Sequence, residues 1–263
     1  MRQNDSIFSY YEPNEKLKPY ISYYSIQHSN FEFSLPEFIP DLGGCLIINV
    51  CANSNFNIVW GPFNILTTSN NSDYQPLIRY FVEFQPGGLS RLIKNNVYSL
   101  KNKKITLLEV NSEIDHSINA FINTKTEPES VIFNLDLLFL SILDKPNEIF
   151  ENGRLVLTIL QDMNSMKKIN EVIVETFYSH RQLNRYMKMF TSVSLKEYVR
   201  IKRFNYAIEL LKENDGSIEE IALKLGYFDS SHFIKDFCKI AHITPTQFRV
   251  NKSKFYNESM KRF

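Results

Sequence analysis

The stretch SIEEIALKLGYFDSSHFIKDF, residues 217–237, predicts two short helices joined by a tight turn. The first helix carries an apolar stripe at positions i, i+3, i+4 and i+7, formed by Ile218, Ile221, Ala222 and Leu225. Ser217 is suited to cap the start of this helix, and Gly226 ends it because glycine adopts left-handed backbone without strain. A second helix begins near Ser230. This pattern is typical of a helix-turn-helix unit, whose second helix enters the major groove of DNA.

The pattern occurs twice. Six positions recur at an offset of fifty residues: Leu183, Arg185, Met187, Ser194, Glu197 and Tyr198 match Phe233, Lys235, Phe237, Thr244, Gln247 and Phe248. Internal repetition of this kind indicates two copies of one structural unit. We therefore predict helix-turn-helix units at about 168–190 and 217–240, joined by one long helix over 195–213.

Positive charge is concentrated near these units. Residues 1–146 contain 11 Lys and Arg against 15 Asp and Glu, whereas residues 147–263 contain 19 against 14. Between Ser179 and Arg203 there are seven basic residues and one acid, Glu197. Phosphate backbones attract such a segment, whereas a solvated helix surface usually mixes both signs. Double-stranded DNA is the expected partner.

The candidate DNA contacts are polar and basic residues at exposed helical positions: Arg181, Asn184, Arg185, Lys188, Arg200, Arg203, Ser230, Ser231, His232, Lys235 and Lys239. Arginine can bond guanine bidentately and asparagine can do the same for adenine, each contributing roughly 1–3 kcal/mol of base discrimination. The same side chains are equally able to contact phosphate oxygens alone. The sequence leaves both alternatives open.

Four motifs carry a family resemblance: Ser179-x-Arg181-x-Leu183-x-Arg185, Tyr198-Val199-Arg200-x-x-Arg203-x-x-x-Ala207, Ile221-Ala222-x-x-x-Gly226-Tyr227-x-Asp229-x-Ser231-x-Phe233-x-Lys235-x-Phe237 and Thr244-Pro245-x-Gln247-Phe248-Arg249. In this order they resemble the AraC-type DNA-binding domain. The resemblance implies two subdomains that insert two recognition helices into successive major grooves on one face of DNA. It also implies the base-reading positions, which are Arg181, Asn184, Arg185, Ser230, Ser231 and Lys235.

The chain departs from the family pattern at several positions. Thr176-Phe177 replaces the usual Leu-Gly pair in the first turn, and Met187 replaces an expected phenylalanine. Ser192 and His242 stand where glycine usually follows each recognition helix. Glycine is the residue that best tolerates left-handed backbone, so the first turn is expected to be the less regular one.

The N-terminal half is predicted to be rich in strands. Short β-branched or aromatic runs at 44–50, 57–60 and 77–84 are separated by Asn, Ser, Pro and Gly clusters. A short helix is expected after Pro86-Gly87-Gly88, and a longer one over 128–143. The longer helix has an apolar stripe of Val131, Leu135, Leu138 and Ile142, for which core packing is favoured over a dimer seam.

Three segments resemble a sensor-type domain that precedes some AraC-type DNA-binding domains: 36–43, Gly61-Pro62 and 84–89. Such sensors are often cupin-type β-barrels, so the resemblance implies a small-molecule effector. The candidate pocket residues are aromatic, namely Tyr24, Phe38, Trp60, Phe63, Tyr80 and Phe84. An aromatic residue at strand spacing is more often part of the core than of a pocket wall.

Other site chemistries find little support in the sequence. The five histidines are scattered without paired metal-ligand spacing, so no metal and no cofactor are expected. Cys45, Cys51 and Cys238 fit reduced thiols of a cytoplasmic protein. The chain start lacks the apolar run of a signal peptide, and no stretch has the roughly 20 apolar residues of a membrane helix.

We therefore predict an α+β protein of two domains, a β-rich mixed sensor or dimerisation domain over 1–146 and an all-α tandem helix-turn-helix domain over 147–263. The expected function is sequence-specific transcription regulation without enzymatic activity, controlled by an effector or by homodimer formation. An activator would also contact RNA polymerase. Two alternatives remain: a DNA-repair or DNA-modifying enzyme that uses Cys45 or Cys51 as acceptor, and a regulator switched by a partner protein.

Overall fold

The computed structural model describes residues 8–28, 37–68, 76–93, 96–148, 150–151, 153, 156, 158, 178–213, 216–250 and 255–256. The main strands are β1 (Phe8–Tyr11), β2 (Ile21–His28), β4 (Cys45–Val50), β5 (Phe56–Trp60), β7 (Ile78–Phe84) and β8 (Lys104–Thr106). They form one antiparallel sheet in the order β1-β2-β7-β4-β5-β8. A second, small sheet contains β6 (Thr67–Thr68), β3 (Glu37–Phe38) and β9 (Phe255–Tyr256), in that order.

The described strands form an open sheet. β1 and β8 are its two edges and do not pair with each other, so a closed cupin-type barrel is not formed by this part of the chain. The predicted strands at 44–50, 57–60 and 77–84 are confirmed as β4, β5 and β7, with ends that differ by one residue. β-branched and aromatic side chains favour these strands because they pack well on a pleated surface.

Helices cover one face of the main sheet. These are α1 (Gly88–Leu92), α2 (Leu107–Val110), α3 (Ser112–Phe121) and α4 (Pro128–Leu143). Successive residues of a strand point to opposite faces, so Leu46 and Val82 join the core beneath the helices while Cys45 and Phe81 lie on the other face. The predicted helices after Pro86 and over 128–143 are both confirmed.

Polar contacts fix α4 against the strand β2 and the helix α1. The hydroxyl of Tyr24 donates to Asp136 Oδ1 at 2.7 Å, and the guanidinium of Arg91 donates to the carbonyls of Ile142, Leu143 and Lys145 at the end of the helix. Carbonyls at a helix C-terminus have no partner within the helix, so Arg91 satisfies groups that would otherwise be buried at a cost. The apolar stripe of α4 packs into the core, as predicted.

Apart from β9, which pairs with β3, the C-terminal half is helical in the described residues. Its helices are α5 (His180–Thr191), α6 (Leu195–Glu213), α7 (Ile218–Lys224), α8 (Ser230–Ala241) and α9 (Pro245–Val250). The predicted bounds of α6 are confirmed, and Gly226 has the left-handed φ of +75° that the turn after α7 requires. The predicted first helix of the first helix-turn-helix unit, together with Thr176-Phe177, lies outside the described residues.

The helix α6 is buried around much of its circumference. Tyr198 and Ile201 are buried, and so are Val199, Lys202 and Asn205. Burial lowers the pKa of Lys202, because the charged ammonium group is poorly solvated there. The reason for the additional burial is that α6 contacts the N-terminal half as well as both helix-turn-helix units: Asn205 donates to the carbonyl of Pro40 at 3.1 Å.

The hydrophobic core of the C-terminal half extends across the predicted boundary at residue 146. Ile39 and Leu42 from the N-terminal half belong to the same buried cluster as Phe190 and Phe237. A separate cluster lies between the main sheet and its helices. No helix in the described ranges is long and apolar enough to cross a bilayer.

Candidate nucleic-acid interface

The helix α5 separates an apolar face from a basic one. Ser179 and Gln182 form a capping box at its start, in which each side chain bonds to the backbone of the other residue. The buried face consists of Leu183, Tyr186, Met187 and Phe190. Three predicted contact residues, Arg181, Arg185 and Lys188, are exposed. The guanidinium of Arg185 lies 5.2 Å from the centre of the Tyr186 ring, which helps to orient it.

Asn184 has a structural role that the sequence did not predict. Its Oδ1 accepts from the backbone N–H of Leu195 at the start of α6, and its Nδ2 donates to the carbonyl of His180. Bidentate bonding to adenine needs both ends of the amide. Asn184 therefore links α5 to α6, and Arg181 and Arg185 remain as the base-reading candidates of this helix.

The helix α8 begins with small polar side chains. Asp229 caps it by accepting from the backbone N–H of His232 at 2.8 Å. His232 also lies 3.0 Å from the Asp229 carboxylate, and Lys239 lies 3.2 Å from Asp236. Two of the predicted DNA-contact residues, His232 and Lys239, are therefore paired with carboxylates of the same unit. Ser231 and Lys235 are exposed, and Ser230 is half-buried.

Arg200 and Arg203 do not lie on an open outer surface of α6, contrary to the prediction. Both are half-buried, and Arg203 stacks 5.7 Å from the centre of the Tyr227 ring in the turn between α7 and α8. Burial, with a further contribution from Asp236, raises the pKa of Tyr227 to about 12, while the two arginines act in the opposite direction. Arg203 therefore links α6 to the turn of the second unit.

The N-terminal half contacts the end of α5. The backbone N–H of Val97 donates to the carbonyl of Met189 at 3.3 Å, and the hydroxyl of Ser192 donates to the carbonyl of Val97 at 2.9 Å. At the start of α6 the carboxylate of Glu197 accepts from Lys101 at 3.2 Å and from Asn64. Sequence reasoning missed Ser192 and Glu197 as contact residues. Ser192 was noted only as a replacement of the family's glycine, and Glu197 only as the counterpart of Gln247 and the one acid of a basic segment.

The end of α8 has a weaker contact with the N-terminal half, where the N–H of Leu66 donates to the carbonyl of Ile240 at 3.4 Å. The N-terminal half thus contacts the C-terminal ends of α5 and α8 and the helix that joins them. Lys188 and Lys239 lie in the last turns of these helices, whereas the other candidate DNA contacts of α5 and α8 lie nearer their N-terminal ends. This arrangement can fix the two helices relative to each other without covering the residues that would meet DNA.

The six candidate pocket residues divide between the two faces of the main sheet. Tyr24, Tyr80 and Phe84 are buried beneath the helices and belong to the core. Trp60 and Phe63 stack at 5.0 Å in a cluster on the other face, and Phe38 meets Trp60 edge-on. The ammonium of Lys104 lies 3.9 Å from the centre of the Trp60 ring, and burial lowers its pKa. The six residues therefore do not form one pocket.

The two thiols of the enzyme alternative differ in burial. Cys45 is buried in the cluster around Trp60, and Cys51 is half-buried. Over the described part of the chain, no group of three or more His, Cys, Asp or Glu is arranged to hold a metal ion.

Comparison with known proteins identifies the family. A helix-turn-helix domain model matches residues 174–251, which include α5 to α9. A probable transcription factor of Proteus vulgaris, PqrA, is 38% identical over 84 residues, which are 32% of this chain and 69% of that protein. The chain belongs to the AraC family. Membership in this family of DNA-binding transcription regulators sets aside the enzyme alternative.

Other relatives of the family match more of the chain at lower identity. The transcriptional activator RhaR of Mannheimia succiniciproducens is 25% identical over 166 residues, which are 59% of each chain, so the match spans less than two thirds of that relative. Among solved structures, ToxT of Vibrio cholerae is similar at 16% identity, with coverage of 86% of this chain and 97% of that one and a TM-score of 0.39.

Proposed function

We propose that this AraC-family regulator binds double-stranded DNA with α5 and α8 in successive major grooves. The observation that carries the proposal is the pair of capped helices, each with a buried apolar face and an exposed polar face, joined by α6. In this proposal Arg181 and Arg185 contact bases of the first half-site and Lys188 contacts phosphate. Ser230, Ser231 and Lys235 contact the second half-site. In this proposal the domains are 1–146 and 147–263, with Ile39 and Leu42 of the first domain packing in the core of the second, and the protein is cytoplasmic.

The proposal is tested by selecting bound sequences from a random pool of DNA with the whole chain. The whole chain is used because Ile39 and Leu42 belong to the core of the DNA-binding half. We expect two half-sites with centres about one helical turn apart, and affinity that falls steeply with salt. Binding without sequence preference, or a single short site, would contradict the proposal.

We further propose that the N-terminal half controls DNA binding through an effector held in the aromatic cluster around Trp60, on the face of the main sheet opposite the helices. Phe38, Trp60 and Phe63 would form an aromatic wall there. Lys104 would add a cation beside it, which favours a small molecule with an apolar ring and a negative charge. A thermal-shift screen of such compounds against the whole chain tests this. Trp60→Ala should abolish a shift that Tyr24→Phe, on the other face, retains.

Homodimer formation is the second candidate for control. Phe133 and Leu137, one turn apart on the outer face of α4, are 63% and 50% exposed. Burial of such a pair in a symmetric contact would stabilise a dimer. Analytical ultracentrifugation of the chain and of Leu137→Glu tests it, since a dimer should dissociate in the variant. Contact with RNA polymerase is tested separately by transcription in vitro from the selected site.

A further inference from the structure

Phe228 is an aromatic residue with almost no packing. Its side chain is 93% exposed, more than any other large hydrophobic residue recorded as exposed in the described part of the chain. It lies in the turn between α7 and α8, directly before Asp229, the capping residue of α8. A phenylalanine exposed to this degree in the free protein gains free energy when a partner covers it.

The turn has a conformation that keeps this ring out of the core. The residue before a helix cap usually packs against the fourth residue of the helix, which here would pair Phe228 with Phe233. Instead Tyr227 occupies that place, with its ring centre 5.6 Å from that of Phe233. The backbone N–H of Tyr227 donates to the carbonyl of Ala222 at 3.0 Å, and Arg203 covers the outer side of its ring. Phe228 is therefore free of the usual structural role of its position.

The exposed ring lies beside the DNA-reading end of α8. Ser231 and His232, in the first turn of the helix, are exposed like Phe228. In helix-turn-helix proteins, the N-terminal residues of the recognition helix contact base edges. A ring two residues before the helix start is thus close to the bases or to the wall of the groove.

We propose that Phe228 is a specificity-determining residue of the second unit and that its ring packs against the C5-methyl group of a thymine in the major groove. This inference rests on the proposed DNA binding through α8. The methyl group of thymine is the apolar group that bases present in this groove, and a phenyl ring offers no hydrogen bond to the donors and acceptors beside it. The second half-site should therefore require a thymine that no polar side chain of α8 specifies.

The experiment removes the methyl group from the DNA and the ring from the protein. In the selected site, each thymine of the second half-site is replaced singly by deoxyuridine, and binding to the wild type and to Phe228→Ala is measured. Removal of one buried methyl group should weaken binding by the wild type about fourfold. Phe228→Ala should show the weaker affinity on both DNAs and no further loss with deoxyuridine at that position.

Leu223→Ala is the matched control, because Leu223 is 65% exposed on α7 of the same unit. This variant should keep the full response to deoxyuridine. The midpoint of thermal unfolding should be unchanged in Phe228→Ala, since the ring has almost no packing to lose.

Three results would overturn the inference. The first is that no deoxyuridine substitution weakens binding by the wild type. The second is that Phe228→Ala responds to deoxyuridine as the wild type does. The third is that the variant binds DNA normally and loses only transcription in vitro, which would indicate a protein partner. Failure of the selection itself to yield a site would contradict the proposed function instead. The two failures are therefore distinguishable.

Discussion

The two recognition helices are copies of one pattern, but they have different surroundings. α5 and α8 each have twelve residues, a capped start and a left-handed residue after the end, Ser192 with φ 64° and His242 with φ 56°. Ser192 is 1% exposed and bonds to Val97, whereas His242 is exposed. The left-handed residue after the helix is thus covered by the N-terminal half in the first unit and exposed to solvent in the second.

The difference extends to the helix that follows each recognition helix. Gln247 accepts from the backbone N–H of Thr244 and completes the cap of α9. The equivalent residue of the first copy, Glu197, bonds to Lys101 and Asn64 of the N-terminal half instead. The repeat therefore determines the local framework, while the first copy uses equivalent positions for contacts between the halves. Control by the N-terminal half is therefore expected to act first on α5 and α6.

The largest expected effect is a loss of DNA affinity that differs between the two units. Arg185→Ala should weaken binding to the selected site about tenfold to a hundredfold, because a bidentate contact contributes about 1–3 kcal/mol. Specificity should relax in the first half-site only. Lys235→Ala should have a smaller effect, confined to the second half-site or uniform across sequences. Selection with each variant measures this, and relaxed specificity in the same half-site for both would contradict the assignment.

The next effect tests the contact of Glu197 with the N-terminal half. Glu197→Ala should lower the free energy of unfolding by about 1–2 kcal/mol, because the partly buried Lys101 and Asn64 lose their acceptor. The side chains of Lys101 and Glu197 are only 26% and 22% exposed, so salt should reduce this effect without abolishing it. Gln247→Ala, which removes only a local cap, should cost about 0.5 kcal/mol. Urea titration at two salt concentrations checks both values, and equal losses would argue against a special role for Glu197.

Two substitutions by glycine should change the free energy of unfolding in opposite directions. His242→Gly should raise the free energy of unfolding by about 0.5 kcal/mol, because left-handed backbone strains a residue with Cβ and the exposed imidazole loses little. Ser192→Gly relieves the same strain but leaves the carbonyl of Val97 without its donor, so stability should fall by about 1 kcal/mol. Thermal and urea unfolding measure both. If both variants are stabilised, the hydroxyl of Ser192 contributes nothing to the contact between the halves.

The smallest expected effect is a pH dependence of stability that distinguishes the two helix caps. Asp229, which caps α8, titrates, whereas Ser179, which caps α5, does not. The backbone N–H of His232 holds the pKa of Asp229 below its ordinary value of 3.8. A carboxyl whose pKa is lower in the folded state stabilises the fold fully when the pH is above its pKa in the unfolded chain. This stabilisation is lost as the pH falls through its pKa in the folded protein. The advantage of the wild type over Asp229→Asn should therefore shrink below about pH 4. Unfolding of both proteins between pH 3 and 6 checks it, and Ser179→Asn should show no such trend.

Much of the fold followed from the sequence because local signals agreed with each other. Ser217, Gly226 and the apolar spacing around Phe233 predicted α7, the turn and the start of α8. The bounds of α4 and α6 were predicted correctly, because their apolar residues repeat at helical spacing over long segments. The candidate site was predicted in part. Arg181, Arg185 and Lys235 are exposed as expected, whereas Arg200 and Arg203 are half-buried. Arg203 packs against the Tyr227 ring, and spacing along α6 could not predict this contact because Tyr227 lies in the neighbouring unit.

The sequence by itself determined the repeat, its capped helices and the concentration of positive charge in the C-terminal half. These properties depend on residues three or four positions apart and on composition. Only the tertiary structure decided that Asn184 joins α5 to α6, that Glu197 and Ser192 contact the N-terminal half, and that Tyr227 rather than Phe228 packs on Phe233. Each of these depends on which of several chemically equivalent partners lies within reach, and distance in the folded chain, not spacing along it, determines that choice.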